Sequence, residues 1–468
     1  MTGQAPVVAG PADVVVVGAG MAGLTAAHAL LEAGLRPLVL EAGDDVGGLV
    51  RAGTVGGLEL DLGAEAFALR RPEVLALARS LGLEVEQPAG GSWVWTPAPD
   101  GGRAAPIPAQ SLLGIPADPF APDALRSLGP DGAARAARDA DLGPGPGSDA
   151  ADLATLVRVR MGEPVLERLV RPVAGGIHNA DPADLAVDSV APGLREALAA
   201  HGSLGAAVRA LLDAAPPGAA VATTAGGLFR LPRALAHAVT AGGGEVRTGA
   251  AATALRRVDG AWEVATATAG GPVRLRAPRL VLATPGRAAL DLLGGVLDPL
   301  GVSLPAGSAI THVTLVVREP ALDAAPRGAG LLVARGSERV RAKALTHASA
   351  KWPWLRAAAG PGVHVLRVSY GRPGEHVADV DAALALRDAA ALLGVPLGAQ
   401  QLLDARVVHR EDALAATTPA VRAQVASLTS RAAALEGLAL CGAWVAGTGL
   451  AAVVAQARAA AAEMSELS

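Results

Sequence analysis

Three glycines near the N-terminus have the spacing of a turn that binds a pyrophosphate. Gly18, Gly20 and Gly23 follow the pattern G-x-G-x-x-G, and an acidic residue, Glu41, occurs later in the same segment. The first glycine permits a tight turn, the second lets a pyrophosphate approach the backbone, and the third lets a helix pack closely on a strand. The glutamate can accept hydrogen bonds from ribose hydroxyls. These residues predict dinucleotide binding, with a plain βαβ turn as the alternative.

The surrounding sequence predicts the strands and the helix that such a turn must connect. Residues 14–17 are a β-branched run typical of a buried parallel strand. Residues 24–31 are typical of a helix that ends near Gly34, and residues 37–40 predict a second strand ahead of Glu41. The phosphates would then face free N–H groups at the helix N-terminus. The predicted contacts in this segment are Gly18, Ala19, Gly20, Met21, Ala22, Gly23, Glu41 and Ala42.

The residues that follow indicate which dinucleotide is bound. Glu41 is followed by Gly47-Gly48 and Arg51, and the segment ELDLGAEAF then supplies Asp61 and Gly63. In this arrangement the sequence resembles the flavoprotein superfamily of amine oxidases, carotenoid desaturases and porphyrinogen oxidases, which implies FAD as the cofactor. The resemblance assigns to FAD the residues Gly47, Gly48, Arg51, Gly63, Ala64, Glu65 and Ala66. Leu49 departs from this pattern, because many relatives have a basic residue there, for which Arg51 is a candidate substitute.

The C-terminal segment 437–457 carries no formal charge and is long enough to cross a bilayer as a helix. Glycines interrupt it at Gly442, Gly447 and Gly449. They favour a strand LALCGAWV, a turn AGTG and a helix LAAVVAQARAAAAEM over a transmembrane span. In the superfamily this helix faces the pyrimidine end of the flavin, where its dipole stabilises negative charge. The resemblance therefore assigns Thr448, Gly449, Leu450 and Ala451 to FAD.

A third segment of FAD type lies in the middle of the chain. It contains the turn Gly226-Gly227, a helix from Leu231 and a strand at 245–248, and relatives contact adenine through the backbone at the position of Val246. The fold class implied is α/β + α: a Rossmann-like FAD-binding domain assembled from discontinuous segments, a substrate domain of mixed sheet and a helical insertion. The FAD-binding domain comprises residues 12–84, 217–285 and 430–468, the helical domain residues 105–200, and the substrate domain residues 85–104, 201–216 and 286–429.

Further segments narrow the resemblance to the oxygen-dependent coproporphyrinogen III and protoporphyrinogen oxidases. The segment ERLVRPVAGGIHNADP is similar to the family's ERLVEPLLGGVYAGDP, and PIPAQSLLGIPADPF, SAKWPWL, LRVSYGR and GAWVAGTGLA occur in the family's order. Two departures concern the substrate region. His178-Asn179-Ala180 replaces the family's Tyr-Ala-Gly, and HREDALAATTPAV replaces a segment with tryptophan before Pro-Gln-Tyr.

The resemblance implies the removal of six electrons from a porphyrinogen. FAD takes hydride from saturated bridge carbons, pyrrole N–H protons are lost, and oxygen reoxidises the flavin with release of hydrogen peroxide. No catalytic triad is needed, and the protein supplies an apolar slot and cations for the propionates. The matching segments offer Arg168, Arg171, His178, Lys351 and Arg372 as substrate contacts. Each has a structural alternative, such as an ion pair or, for His178, a hydrogen bond within a loop.

Several substrates and roles stay open at this point. Coproporphyrinogen III, with four propionates, is favoured over protoporphyrinogen IX, with two, because the Ala/Gly/Arg-rich usage hints at a high-GC genome, where the coproporphyrin route is frequent. An amine oxidase is disfavoured because aromatic residues make up 2% of the chain, too few for paired aromatics around an amine. A non-catalytic flavin-binding protein is a further alternative.

The composition bears on partners and compartment. The net charge is −4 without a basic patch, so no nucleic-acid partner is expected. The nine histidines show no HxxxH or similar pairing and there is one cysteine, so no metal site is expected. The single cysteine, Cys441, excludes an internal disulfide and fits a reducing compartment, which predicts a cytoplasmic protein. Peripheral contact with a membrane stays open, and the sequence makes no prediction of the oligomeric state.

Overall fold

The computed structural model describes residues 7–8, 12–98, 101–178, 180–214, 220–297, 302–305, 307–372, 375, 377–414, 419–447 and 449–466. The strands are β1 (Val7–Val8), β2 (Val14–Val17), β3 (Pro37–Leu40), β4 (Ala52–Val55), β5 (Leu58–Asp61), β6 (Phe67–Ala68), β7 (Val85–Glu86), β8 (Ser92–Thr96), β9 (Arg103–Pro106), β10 (Ser111–Leu112), β11 (Ile115–Pro116), β12 (Val221–Thr224), β13 (Glu245–Arg247), β14 (Ala251–Val258), β15 (Ala261–Thr268), β16 (Gly271–Ala277), β17 (Arg279–Leu282), β18 (Ser308–Arg318), β19 (Gly330–Val333), β20 (Ala344–His347), β21 (Val363–Tyr370), β22 (Leu402–Leu414) and β23 (Leu438–Leu440).

The helices are α1 (Met21–Glu32), α2 (Glu73–Ser80), α3 (Pro122–Ala137), α4 (Leu153–Arg160), α5 (Glu163–Val165), α6 (Arg171–His178), α7 (Val187–Val190), α8 (Leu194–His201), α9 (Leu204–Ala214), α10 (Arg230–Ala241), α11 (Gly286–Leu293), α12 (Ala348–Lys351), α13 (Pro353–Ala359), α14 (Ala382–Leu393), α15 (Pro419–Ala433), α16 (Ala443–Ala446) and α17 (Leu450–Ser465). Shorter 3₁₀ and π turns occur at Arg138–Asp141, Leu166–Val170, Pro182–Asp184 and Pro320–Ala324. No helix in the described ranges combines the length and the apolar character that crossing a bilayer requires.

A five-stranded parallel sheet carries the N-terminal glycine turn. Its order is β13-β3-β2-β17-β23, so it takes strands from the N-terminal, middle and C-terminal parts of the chain. Val14, Val15 and Val16 are fully buried, because helices α1, α10 and α17 cover one face and the sheet β1-β16-β15-β14 covers the other. This arrangement confirms the Rossmann-like α/β fold assembled from discontinuous segments, whereas the exact domain boundaries stay a prediction.

A seven-stranded mixed sheet forms the second large layer. Its order is β22-β18-β21-β20-β19-β8-β9, and only β19 and β8 run parallel among these neighbours. Leu366, Val368 and Tyr370 alternate along β21 and pack on helix α14. Arg367 points to the opposite face, where it pairs with Glu65 near the parallel sheet. The mixed sheet implied for the substrate domain is confirmed.

Helices α3 to α9 share an apolar core of their own, as expected for a helical insertion. A buried ion pair anchors this core, with Arg160 Nε 2.5 Å from Asp139 Oδ1. The guanidinium of Arg160 also donates to the carbonyl oxygens of Asp139 and Gly202, at 3.1 and 3.0 Å. Because the charges are fully enclosed and hydrogen-bonded, the pair satisfies polar groups that would otherwise be costly to bury.

One local prediction near the C-terminus is wrong. The sequence predicts a strand across residues 438–445, whereas β23 ends at Leu440 and a short helix, α16, follows. Gly442 has a φ of +129°, a backbone conformation that residues with a Cβ rarely adopt. The chain therefore leaves the sheet at Gly442 and turns before it enters α17.

Candidate functional site

The glycine turn between β2 and α1 encloses an open space at the helix N-terminus. A Cβ placed on Gly18 would lie 2.7 Å from the carbonyl oxygen of Ala283, and one on Gly23 would lie 1.9 Å from the carbonyl oxygen of Gly18. These two glycines are thus required by the packing of strand and helix. A Cβ on Gly20 would meet no atom within 4 Å, so this glycine faces free space. The residues present fit a pyrophosphate held against the N–H groups of α1.

Glu41 lies at the end of β3 beside this turn. Its Oε2 accepts the backbone N–H of Ala19 at 2.8 Å and its Oε1 that of Gly43 at 2.9 Å. Each carboxylate oxygen keeps a lone pair for a ribose hydroxyl. Val246 lies on the neighbouring strand β13, paired with Val39 and partly exposed. Glu41 and Val246 therefore occupy positions suited to the ribose and the adenine of a dinucleotide.

Two further loops close over the same space. The N–H of Gly47 donates to the carbonyl of Ala19 at 2.8 Å, and a Cβ on Gly48 would lie 3.3 Å from the Cα of Gly20. A Cβ on Gly63 would lie 1.9 Å from the carbonyl oxygen of Leu49. The structure thus brings together the turn 18–23, the pair 47–48 and the start of the segment 63–66 as one surface.

Helix α17 completes this surface by packing along α1. Its first residues, Leu450 and Ala451, and the preceding Gly449 lie at its N-terminus. Thr448, the other residue predicted here, lies outside the described residues. The N-terminus of α17 presents unpaired N–H groups and the positive end of a helix dipole, which suit an electron-rich edge of a cofactor ring.

Asp61 is a residue whose role the sequence reasoning missed. It lies in the segment ELDLGAEAF, and its carboxylate accepts the backbone N–H groups of Leu228 and Phe229 at 2.9 and 2.8 Å. Burial raises the pKa of Asp61 to about 7, against the effect of these two hydrogen bonds. Asp61 thereby holds the turn before α10 against the segment that carries Gly63.

An ionic cluster lies between Gly63 and the mixed sheet. Glu65 Oε1 is 2.6 Å from Lys351 Nζ, and its Oε2 is 3.5 Å from a guanidinium nitrogen of Arg367. Burial alone would raise the pKa of Glu65, but the two cations outweigh it and hold the pKa below its usual value. Arg410 also reaches this region, since a Cβ on Gly63 would lie 3.4 Å from its Nη2. Arg367 and Arg410 were not predicted.

A polar pocket opens at the same end of the mixed sheet. Its main part, of about 420 Å³, includes Arg335, Arg372 and Tyr370 in its wall. A neighbouring smaller cavity of about 40 Å³ shares Arg335 and Arg372 in its wall and adds Arg171 and Lys343; the two cavities are together called the pocket below. Burial, followed by the charge of Arg372, lowers the pKa of Lys343 to about 8. Four cations thus converge where the ends of β19, β20 and β21 meet the helix α6.

Carboxylates already balance part of this charge. Asp181 pairs with Arg171 and lies 3.9 Å from Arg335, and Glu375 lies 3.4 Å from Arg372. Arg335 and Lys343 are additions to the residues predicted. A signal for them exists in the segment VARGSERVRAKAL, where basic residues recur every few positions, but it does not show which of them face a pocket.

The other predicted substrate residues lie elsewhere. Arg168 donates to the carbonyl of Leu128 at 2.7 Å within the helical core. His178 is exposed at the end of α6. Lys351 belongs to the cluster around Glu65. The structure therefore joins Arg171 and Arg372 in one pocket and separates Arg168, His178 and Lys351 from them.

A neutral histidine connects the pocket with the ionic cluster. His312 on β18 has its Nδ1 3.0 Å from the hydroxyl of Ser369. Burial, reinforced by the charges of Arg367, Lys343 and Arg410, holds the pKa of His312 well below its usual value. His312 is therefore a buried neutral group near cations of both the pocket and the ionic cluster.

Comparisons with known proteins identify relatives of this chain. The chain matches the family described as flavin containing amine oxidoreductase over residues 21–465. It is 30% identical over 463 residues to coproporphyrinogen III oxidase of Mycobacterium tuberculosis (strain ATCC 25618 / H37Rv), with 96% of each chain covered. A crystal structure from Exiguobacterium sp. 255-15, described as a candidate protoporphyrinogen oxidase, has a TM-score of 0.79 at 24% identity and covers 98% of this chain and 99% of that one. A stretch of 92 residues is 49% identical to putrescine oxidase of Kocuria rosea, covering 19% of each chain.

Proposed function

Because the chain belongs to the flavin containing amine oxidoreductase family, we propose that it is a coproporphyrinogen III oxidase of haem biosynthesis. The reaction is the FAD-dependent, six-electron oxidation of coproporphyrinogen III to coproporphyrin III. Oxygen is the electron acceptor and is released as hydrogen peroxide. FAD itself is the cofactor of this family, and the open glycine turn, Glu41 and the N-terminus of α17 fit it.

The proposed substrate follows from the positive charge of the pocket, which Arg171, Arg335, Lys343 and Arg372 line. Charged side chains that recognise carboxylates favour a substrate with many of them. Coproporphyrinogen III has four propionates, whereas an amine substrate would bring a positive charge into the same pocket and be repelled. The relative of 30% identity that bears the name coproporphyrinogen III oxidase supports the same choice.

The chain's own residues orient the substrate and exclude water in this proposal. FAD, when bound, supplies the hydride acceptor for the bridge carbons. The cations of the pocket hold propionates, and the closely packed loops around Gly63 limit the approach of solvent. Three two-electron steps remove three hydrides from bridge carbons and three protons, two from pyrrole nitrogens and one from the fourth bridge carbon, so six hydrogens leave in total.

The proposal is tested by the absorbance of the FAD-loaded protein under anaerobic conditions. Addition of coproporphyrinogen III should bleach the flavin, and admission of oxygen should restore it with porphyrin fluorescence and peroxide. Faster bleaching by protoporphyrinogen IX would keep the chemistry and change the substrate. Bleaching by an amine alone would assign the protein to the amine oxidases. A yellow protein that binds porphyrin but is bleached by none of these compounds would be a non-catalytic flavin-binding protein.

A further inference from the structure

Arg410 is a partly buried cation of the mixed sheet. It lies on β22, opposite Ile310 of β18, on the face of the mixed sheet that looks toward Gly63. Its Nε is buried and has no hydrogen-bond partner within the described ranges of the chain. Burial, together with the charges of Arg51 and Arg367, lowers the pKa of Arg410. A guanidinium in such a position is costly unless an anion reaches it.

The carboxyl groups of Glu65 and Asp61, in the same region as Arg410, already have other partners. Glu65 is held by Lys351 at 2.6 Å and by Arg367 at 3.5 Å. Asp61 is held by two backbone N–H groups, and its raised pKa of about 7 leaves it partly protonated at neutral pH. The cations Lys351, Arg367 and Arg410 thus outnumber these two carboxyl groups, even when Arg51, which the sequence assigns to FAD, is left out. The cluster carries an excess positive charge that a bound anion would neutralise.

The cofactor does not account for this excess. Its pyrophosphate has a separate anion site in the N–H groups of the glycine turn and α1, and its ring carries no formal charge in the oxidised state. Arg410 also comes from the mixed sheet and not from the parallel one. It belongs to the segment HREDALAATTPAV, which departs from the pattern of the porphyrinogen oxidases that the chain otherwise resembles.

Strand order places Arg410 in line with the pocket. Ile310 pairs with Arg410 and Thr311 pairs with Tyr370, so Arg410 and Arg372 lie at the same end of the sheet. Strand β18 alone separates β22 from β21, which ends two residues before Arg372, and two strand spacings put β22 and β21 about 10 Å apart. The positive charges of Lys343, Arg367 and Arg410 all act on His312 of β18.

We propose that Arg410 and Arg367 form a second carboxylate-binding site, beside the cofactor and separate from the pocket of Arg171, Arg335, Lys343 and Arg372. One ligand with carboxylates on two sides can then reach both sites. The identity of this ligand rests on the proposed function, which names a porphyrinogen with four carboxylates as the substrate. The existence of a carboxylate site beside the flavin does not depend on that function.

The test compares R410Q and R410K with a matched control, R406Q, in the FAD-loaded protein. Arg406 lies exposed on the same strand, four residues before Arg410. Benzoate and coproporphyrin III are titrated, and binding is followed by the flavin difference spectrum. In R410Q both ligands should bind about tenfold to a hundredfold more weakly, as expected for loss of a charged hydrogen bond. R406Q should match the wild type, R410K should recover part of the affinity, and coproporphyrin tetramethyl ester should be insensitive to all three changes.

Three other outcomes would each contradict the proposed site or the proposed substrate. Unchanged affinities for benzoate and coproporphyrin III in a folded, yellow R410Q would overturn the site. Loss of FAD from R410Q, with normal affinity in the fraction that keeps FAD, would show that Arg410 serves the cofactor and would overturn it as well. If benzoate binding depends on Arg410 while coproporphyrin III does not bind the wild type, the site stands and the proposed substrate fails.

Discussion

Asp61 Oδ1 accepts the backbone N–H of Phe229 at 2.8 Å, across 168 positions of sequence. The hydrogen bond joins the segment that carries Gly63 to the turn that starts α10, and Oδ2 bonds the N–H of Leu228 in the same way. Two parts of the cofactor surface that are remote in the chain are therefore positioned by one carboxyl group. This carboxyl is largely enclosed, and its protonation is linked to folding.

The stability contributed by Asp61 should decline as the pH rises. Burial raises its pKa from 3.8 to about 7 in the folded chain, so the native state binds the proton more tightly than the unfolded state. Its contribution is then greatest in acid and is lost as the pH rises from about 4 through about 7. Thermal unfolding of the wild type and D61N, measured from about pH 5 to about pH 8, should show the wild type losing stability relative to D61N. A constant difference across this range would contradict the prediction.

Lys351 and Glu65 should couple strongly in a double-mutant cycle. Their atoms are 2.6 Å apart with side-chain exposures of 19% and 14%, so either single change leaves a charge that water reaches poorly. K351Q, E65Q and the double variant should give a coupling free energy of about 1 to 3 kcal/mol in urea unfolding. The exposed pair Arg158 and Glu163, at 2.8 Å, is the matched control and should show little coupling. Equal coupling in both pairs would show that enclosure does not strengthen the first.

Gly20 and Gly23 should respond to alanine in different ways. A methyl group at Gly23 would meet the carbonyl of Gly18, so G23A should destabilise the protein with or without FAD. At Gly20 the methyl would enter free space, and the φ of −74° suits alanine. G20A should therefore fold normally as apoprotein and lose FAD affinity. Thermal midpoints of the apoprotein and the ratio of flavin to protein absorbance distinguish the two; normal flavin content in G20A would place the pyrophosphate elsewhere.

The sequence predicts best what depends on neighbours in the chain. The turn of Gly18, Gly20 and Gly23 with Glu41 could be recognised because strand, turn and helix follow one another directly. Gly442 was misjudged because a residue with positive φ ended a run that otherwise had the composition of a strand. Local sequence patterns thus identify the cofactor surface, and the error at Gly442 concerns the point where a strand ends in a turn.

The residues of the pocket and the ionic cluster are brought together by strand register and by contacts between distant segments. Local sequence patterns could not predict these contacts. Arg410 reaches Gly63 only through the pairing of β22 with β18, including a register shift near Ile310. Arg335 and Lys343 meet Arg171 because strand ends and a helix from another region converge. Lys351 was predicted from its position in a motif, but its contact with Glu65 spans 286 positions. Its role toward the substrate stays a prediction.

Arg372 and Arg168 should differ in their effect on the KM for coproporphyrinogen III. Arg372 borders both parts of the pocket, so R372Q should raise the KM about tenfold through loss of a charged hydrogen bond to a propionate. Arg168 bonds a carbonyl inside the helical core, so R168Q should lower stability and leave the KM unchanged. Steady-state peroxide release measures the KM of both variants. An equal rise in KM for the two variants would indicate an indirect effect on folding.

Lys343 should impose an alkaline limit on substrate binding. Its pKa of about 8 follows from burial and from the neighbouring Arg372, so its positive charge is present below about pH 8 and is lost above it. The KM for a carboxylate substrate should accordingly rise as the pH passes 8, because the pocket then holds one cation fewer. K343R keeps its charge in this range and should remove the inflection. R406Q, at an exposed position, is the control and should keep the inflection of the wild type. An inflection of unchanged position in K343R would assign the titration to another group, such as a substrate nitrogen.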